Sequence, residues 1–247
     1  MSRVSLCSTC GVPAPVGAEL AWENKGVIVS KTSPPNRWVF YESENLDPLF
    51  HGIEELIGVP IENIIIESRR RESRRYMERL FPAAAKEAFR GYDDPQITAE
   101  EKISKLAAAR KILENIYDVG RVFGYANIAV SPAWKTDDAH PWRFGIVQDP
   151  YSVLFQVAES LGTCEAVEGI DMWVRYEESG EDGYLFEFFP SDHPVGLEGR
   201  FKAKRYDFKP GDIVYDHCPQ CGVPAEISRY VWDLENGRPA QRLEGHS

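Results

Sequence analysis

Cys7-Ser8-Thr9-Cys10-Gly11-Val12-Pro13-Ala14 near one end of the chain and Cys218-Pro219-Gln220-Cys221-Gly222-Val223-Pro224-Ala225 near the other agree, in register, at Cys, Cys, Gly, Val, Pro and Ala. Two residues between cysteines let the backbone turn tightly enough to aim both sulfurs at one ion. The Gly that follows suits a position of positive φ, which leaves backbone N–H groups free to point at sulfur. Two such knuckles supply four thiolates, a closed tetrahedral set for which zinc is the default metal. Cys7, Cys10, Cys218 and Cys221 are therefore the expected ligands. A closed four-sulfur site leaves no open position for substrate, so its expected role is structural: it ties the two ends of the chain together and makes folding depend on metal.

Working outward, the chain of 247 residues is 43% hydrophobic and 27% charged, which is enough apolar content to build one large core or two modest ones. No run approaches the roughly 18 apolar residues of a membrane helix, and residues 1–7 lack the apolar stretch of a secretory leader. A soluble, cytoplasmic protein is expected, with no membrane partner. Paired C-x-x-C in such a chain reads as metal ligation before disulfide. The formal net charge of −11 disfavours nucleic acid as a partner.

Residues 25–30 and 37–41 are β-rich runs about the turn Thr32-Ser33-Pro34-Pro35-Asn36, a hairpin. Asn45 or Asp47 can cap a helix that Gly58 stops, and Pro60 suits the first turn of a second helix reaching Leu80. That helix carries Arg69, Arg70, Arg71, Arg74, Arg75 and Arg79 among Glu67, Glu72 and Glu78, with Glu67–Arg71 and Arg74–Glu78 spaced as i,i+4 pairs. A solvated face is the expectation, with a dock for an anionic ligand, an acidic partner or a nucleic acid as the alternative, the last disfavoured by the lack of interleaved aromatic residues. Gly91-Tyr92-Asp93-Asp94-Pro95 reads as a linker. Thr98 with Glu101 forms a capping box for a long third helix ending near Gly120 or Gly124. Strands are expected over 125–130 and 142–147, a helix over 150–161 stopped by Gly162, and a hairpin of 171–176 with 184–189. The tail after Asp233 is polar and expected to fray.

No G-x-S-x-G, H-E-x-x-H, P-loop or G-x-G-x-x-G occurs. His51 falls inside a helix and His246 in the tail. His140 follows Asp137 and Asp138, His193 sits in a Ser-Asp-His-Pro turn, and His217 precedes Cys218. Either His140 or His193 could serve as an acid or base; His217 is placed to support the metal ligands. Cys164, beside Glu165, is expected to be a buried, inert thiol. Aromatic residues concentrate in the C-terminal half. Trp134, Trp142, Phe144, Tyr151, Phe155, Trp173 and Phe186, with His140, are the candidate lining of a pocket for a small apolar or aromatic molecule.

Two resemblances sharpen these expectations. The Cys-Pro-x-Cys-Gly form of 218–222 is similar to a rubredoxin knuckle, which makes iron the alternative to zinc and electron transfer an alternative function. The segment 97–190, about 40% of the chain, resembles the 4-vinyl-reductase-type (hydrocarbon-binding) domain. The similarity lies in element order: a long helix ending at Gly120 and Gly124, a strand, a strand running into Gln148-Asp149-Pro150-Tyr151, the helix from Phe155 to Gly162, Glu165-Ala166-Val167-Glu168-Gly169, then a hairpin. That resemblance implies a mixed fold with an apolar pocket between sheet and helices, and ligand binding more than catalysis. Cysteines that hold metal in the late strands of some members are missing here, where only Cys164 occurs.

The expected fold is α+β, an antiparallel sheet packed with several long helices plus a zinc-ribbon-like metal site. The expected organisation is a metal ribbon of 1–24 and 210–232, a hairpin and two helices over 25–92, and a ligand-binding domain over 97–209. The favoured function is a zinc-containing small-molecule binding or accessory protein without catalysis. An enzyme or enzyme subunit acting on a small organic substrate is the alternative. A protein partner and a homodimer both fit the sequence.

Overall fold

A computed structural model describes residues 5–31, 35–40, 43–92, 94–135, 140–180, 183–197, 200 and 211–224, and the backbone at 232–233 and 238–239. Several expected features lie outside these residues: most of the turn at 32–34, Asp137 and Asp138, the hairpin tip at 181–182, Ala225, and the tail beyond 239. The architecture is α+β, with antiparallel sheets of three and four strands, several helices and a cysteine cluster built from the two ends.

The chain divides into two compact units. The first comprises residues 1–41, 118–124 and 203–247. Its elements are α1 (Ala14–Glu19), β1 (Leu20–Glu23), β2 (Val27–Ser30) and β3 (Arg37–Trp38), the strands lying in the order β1-β2-β3. Register pairs Trp22 with Ile28 and Ile28 with Trp38. These side chains face a small core of Val12, Val16, Leu20, Trp22, Val122 and Val223. The expected hairpin is present, but β1 joins it to the first knuckle, so the hairpin belongs with the ribbon and not with the helices that follow it.

The second unit comprises residues 42–117 and 125–202. It contains α2 (Leu46–Ile57), α3 (Glu62–Leu80), the short α4 (Ala83–Lys86) and α5 (Ala99–Val122), whose last turn falls in the first unit. Then come β4 (Asn127–Val130), β5 (Phe144–Gln148), α6 (Val153–Glu168), β6 (Met172–Glu178) and β7 (Gly183–Pro190). The sheet order is β4-β5-β7-β6, antiparallel throughout, with Val174 opposite Phe188 and Ile146 opposite Leu185. Alternation sends Met172, Val174, Phe186 and Phe188 inward against Val157, Leu161 and Ile66 of the helices. A second cluster gathers Phe81, Phe89, Tyr92, Leu113 and Trp142. Strands β8 (Trp232–Asp233) and β9 (Arg238–Pro239) form a separate two-stranded pair.

Local signals explain most boundaries. The Thr98–Glu101 capping box forms as expected, with Thr98 N donating to Glu101 at 2.8 Å and Glu101 N to Thr98 Oγ1 at 3.2 Å. Gly58 closes α2 at φ 70°. Helix α6 departs from expectation: it starts at Val153 behind the cap Ser152, passes through Gly162 and stops at Gly169, φ 80°. Gly162 is an interior packing position. A Cβ there would lie 2.5 Å from the Arg70 carbonyl oxygen and 2.8 Å from Arg74 N, so the missing side chain lets α3 and α6 approach backbone to backbone.

The arginine-rich face of α3 is likewise not simply solvated. Glu67, Arg70 and Ser73 are buried against α6. Arg70 donates to both oxygens of Glu67, at 2.7 and 2.9 Å, and to Glu165 Oε2 at 2.5 Å. Glu67 therefore pairs with Arg70, not with Arg71, whereas the Arg74–Glu78 pair forms at 3.1 Å. Asp47 does not cap its own helix. It accepts from Ser152 Oγ and Val153 N at 2.5 and 2.8 Å and so caps α6.

Candidate functional site

The two knuckles fold as copies of one another. In the first, Cys7 N donates to Val12 O and Gly11 N to Cys7 O, both at 2.8 Å; in the second, Cys218 N donates to Val223 O at 2.9 Å and Gly222 N to Cys218 O at 2.8 Å. Gly11 and Gly222 sit at φ 76° and 75°, the left-handed region that the turn requires. Leu6 bridges Pro13, and His217 bridges Pro224, in the same antiparallel sense. The repeat read in the sequence is thus a repeat of backbone geometry.

The four sulfurs lie within 4.8 Å of one another. Cys7 Sγ is 3.8 Å from Cys218 Sγ, and Cys10 Sγ is 3.4 Å from Cys221 Sγ. A tetrahedron with metal–sulfur bonds of about 2.3 Å has edges of about 3.8 Å. The donor set and spacing therefore fit a tetrathiolate metal. Backbone N–H groups of Cys10 and Thr9 hold the Cys7 thiol down to about 7. Those of Cys221 and Gln220 lower Cys218 in the same way. Burial pushes Cys10 up to about 12 and raises Cys221, opposed by the Val12 and Val223 N–H groups respectively. Each knuckle thus directs three matching N–H groups at its sulfurs, which is how a doubly negative metal–thiolate cluster is stabilised. Gln220 Oε1 accepts from Ser8 and Thr9 hydroxyls at 2.7 Å each and links the knuckles outside the sulfurs. His217 Nδ1 lies 2.8 Å from Gly222 O, so it steadies the second knuckle's turn.

Among the described residues the candidate aromatic side chains fall into separate contact groups. Trp134, Trp142 and His140 belong to one neighbourhood, with Trp142 buried and His140 edge-on to it at 5.3 Å. Tyr151 and Phe155 form another with Phe50 and Tyr125, where the Tyr151 hydroxyl donates to Glu159 at 2.8 Å. Trp173 packs beside His193, Phe186 is sealed in the sheet core, and Phe144 faces Glu187 across β5–β7.

A pocket of about 280 Å³ opens beside the first of these groups, and His140 is the only candidate that lines it. Phe89, Tyr92, His140 and Ile170 line it together with the charged side chains of Arg90, Arg143 and Glu168. Glu168 is fully engaged: Oε1 accepts from Trp142 Nε1 at 2.7 Å and Arg143 Nε at 2.8 Å, and Oε2 from Arg143 Nη2 at 2.5 Å. Tyr92 lies in the stretch Gly91–Pro95 that reads as a linker, and Arg90 directly precedes it. The one hint was a large aromatic residue among turn formers.

His193 meets a carboxylate: its Nε2 is 2.7 Å from Glu165 Oε1. Glu165, Asp171 and His193 also approach closely enough to share a cation. However, Arg70 donates to Glu165 and Arg74 to Asp171, each at 2.5 Å. Two guanidinium groups in the cluster repel a metal ion and mark it as an ion-pair network between α3, α6 and the start of β6. Burial raises the Cys164 thiol well above its ordinary value, in keeping with an inert core residue.

Among the described residues no helix is long and apolar enough to cross a membrane. No protein-family model, curated protein or solved structure matches the chain significantly.

Proposed function

We propose that this chain is a zinc-containing, non-catalytic binding or accessory protein of a reducing, cytoplasmic setting. In this reading a tetrathiolate zinc of Cys7, Cys10, Cys218 and Cys221 secures the chain ends, and the second unit holds a small molecule. The observation that carries it is the sulfur geometry, 3.8 and 3.4 Å across two knuckles of matched backbone. Zinc supplies no chemistry here beyond cross-linking, because four thiolates fill its coordination sphere. The order α5-β4-β5-α6-β6-β7 supports the binding role, since it runs as in the 4-vinyl-reductase-type domain. The test is native against denatured mass of the purified protein, with metal analysis. One zinc per chain, lost in Cys10→Ser, is the expected result. One iron with visible absorption would move the function to electron transfer, and no metal under reducing conditions would refute the centre.

The enzyme reading has one observation in its favour, the His193–Glu165 contact. Its described surroundings are the ion pairs of Arg70 with Glu165 and Arg74 with Asp171, so the pair fixes the turn after β7. Unchanged ligand binding and folding in a His193→Gln variant, against loss of a measurable turnover, would separate the two readings.

A further inference from the structure

We propose that the recess between the α4–α5 loop and the C-terminal end of α6 binds a small molecule carrying a carboxylate on an aromatic ring, with Arg90 as its anchor. This rests on the reading of the chain as a small-molecule binder and names the class of ligand.

The argument begins with charge. Two arginines reach the pocket, and their situations differ. Arg143 is matched by Glu168 in a two-pronged pair, at 2.8 and 2.5 Å. Arg90 uses only Nε, which donates to Val167 O at 3.0 Å and so caps one of the last carbonyls of α6. Its Nη groups have no hydrogen-bond acceptor among the described residues. They are nevertheless fixed in place. The guanidinium lies over Gly169, where a Cβ would be 2.9 Å from Nη2 and 3.3 Å from Cζ. Gly169 thus serves twice, as the left-handed stop of α6 and as the shelf for Arg90. A guanidinium held by one nitrogen with its remaining donors unfilled is preorganised for a carboxylate, which it grips in two-pronged fashion.

The described acidic groups that line the recess leave that role open. Both Glu168 oxygens are taken, and Asp94 sits on the exposed rim with Oδ1 accepting from Gln96 N at 2.9 Å. The remaining walls are aromatic. Tyr92 and His140 stand 5.9 Å apart, and both lean on Trp142 at 5.3 Å, nearly perpendicular to it. Such walls take a ring edge-on or offset. The volume sets the size: pockets for drug-sized ligands begin at about 300 Å³. A recess of about 280 Å³ therefore suits one ring with a short acid arm.

The test uses the full-length, metal-loaded protein and three probes of one shape, benzoate, benzyl alcohol and benzylamine, followed by ligand-observed saturation-transfer NMR. Two variants accompany the wild type. Arg90→Gln keeps a donor for Val167, and Ile170→Trp fills the mouth from an exposed position. Each is checked for an unchanged melting temperature. Expected is binding of benzoate in preference to the other probes, weakened by about tenfold or more in Arg90→Gln, and blocked in Ile170→Trp. Benzoate binding indifferent to both variants would overturn the assignment of the site. Benzyl alcohol bound as well as benzoate, and blocked by Ile170→Trp, would overturn the anion class while leaving the binder reading intact. Failure of all three probes to bind the wild type would overturn the inference and remove the pocket's support for that reading.

Discussion

Gly52 and Gly162 both occupy helix interiors, and replacing each by Ala should move stability in opposite directions. Around Gly52 in α2, an added Cβ meets nothing within 4 Å, so the substitution acts through the backbone alone. Alanine is favoured over glycine in a helix by about 1 kcal/mol, and for a chain of this size that raises the melting temperature by about 2–4 °C. At Gly162 the same gain is opposed by contact. The Cβ would stand 2.5 Å from the Arg70 carbonyl oxygen, and ordinary contact begins at 3.4 Å, so α3 and α6 must part by 3.4 − 2.5 = 0.9 Å. None of the three obstructing atoms is a movable side-chain tip: Arg70 O and Arg74 N are backbone, and Ser73 Cβ, at 2.9 Å, is bonded directly to it. Overpacking of this kind costs about 1–3 kcal/mol, and the upper end applies because the separation also stretches the Arg70–Glu165 pair. After the helix gain, a net loss of about 2 kcal/mol remains, or about 4–8 °C. Thermal unfolding followed by far-ultraviolet circular dichroism reads both. A Gly162→Ala variant that melts at or above the wild type would refute the claim that α3 and α6 touch at this glycine.

Three further outcomes follow from the same packing. Chelation of the metal under reducing conditions should strip hydrogen-exchange protection from β1–β3 while β5–β7 keep theirs, because the cysteines belong to the first unit; uniform loss would contradict the two-unit division. Asp47→Ala should destabilise the second unit by about 1–2 kcal/mol through the lost α6 cap, read by urea unfolding, and no change would deny the cap a stabilising role. The Arg74 hydrogen bond holds Asp171 below its ordinary 3.8. Its contribution is complete above 3.8 and disappears as pH falls through the lower folded value. The gap between wild type and Asp171→Asn, measured by melting from neutral to acid pH, should therefore close on the acid side; a gap that widens there would reverse the assigned sign.

The parts of this fold that were legible in the sequence are those fixed by neighbours a few residues away. The knuckles announce themselves because each needs Cys, Cys and Gly at set spacing, and the Thr98–Glu101 box because both partners lie in one turn. The hairpin of β6 and β7 follows from alternation, with Met172, Val174, Phe186 and Phe188 inside. What misled was the local signal with a distant partner. Gly162 looks like a helix stop until Arg70 of α3 is seen against it. Asp47 looks like a cap for its own helix, and is one for α6, more than a hundred positions away. The arginines of α3 resemble a solvent face because their counter-charge Glu165 lies 95 residues on. Aromatic content marks core and binding site alike: Phe186 and Trp142 are buried in the core, whereas Tyr92 lines the recess beside Arg90.

Under the proposed zinc reading, the placement of the cysteine cluster answers an imbalance between the described parts of the two units. The second has two apolar clusters, a four-stranded sheet and a helix pair locked by buried ion pairs. The first has strands of four, four and two residues over a core centred on Val12, Val16, Leu20, Trp22, Val122 and Val223. It must also bring together segments far apart in the chain, since Cys10 and Cys218 are separated by 218 − 10 = 208 positions. Closing a loop of that length opposes folding by about 5 kcal/mol, a large demand beside the six buried side chains of that described cluster. A tetrathiolate zinc in a small domain contributes about 10–16 kcal/mol, which outweighs the closure term. The matched knuckles therefore join the distant described segments of the first unit, and Gly17, whose Cβ would come within 2.7 Å of the Cys221 Cβ, keeps α1 out of the way of the sulfur cluster.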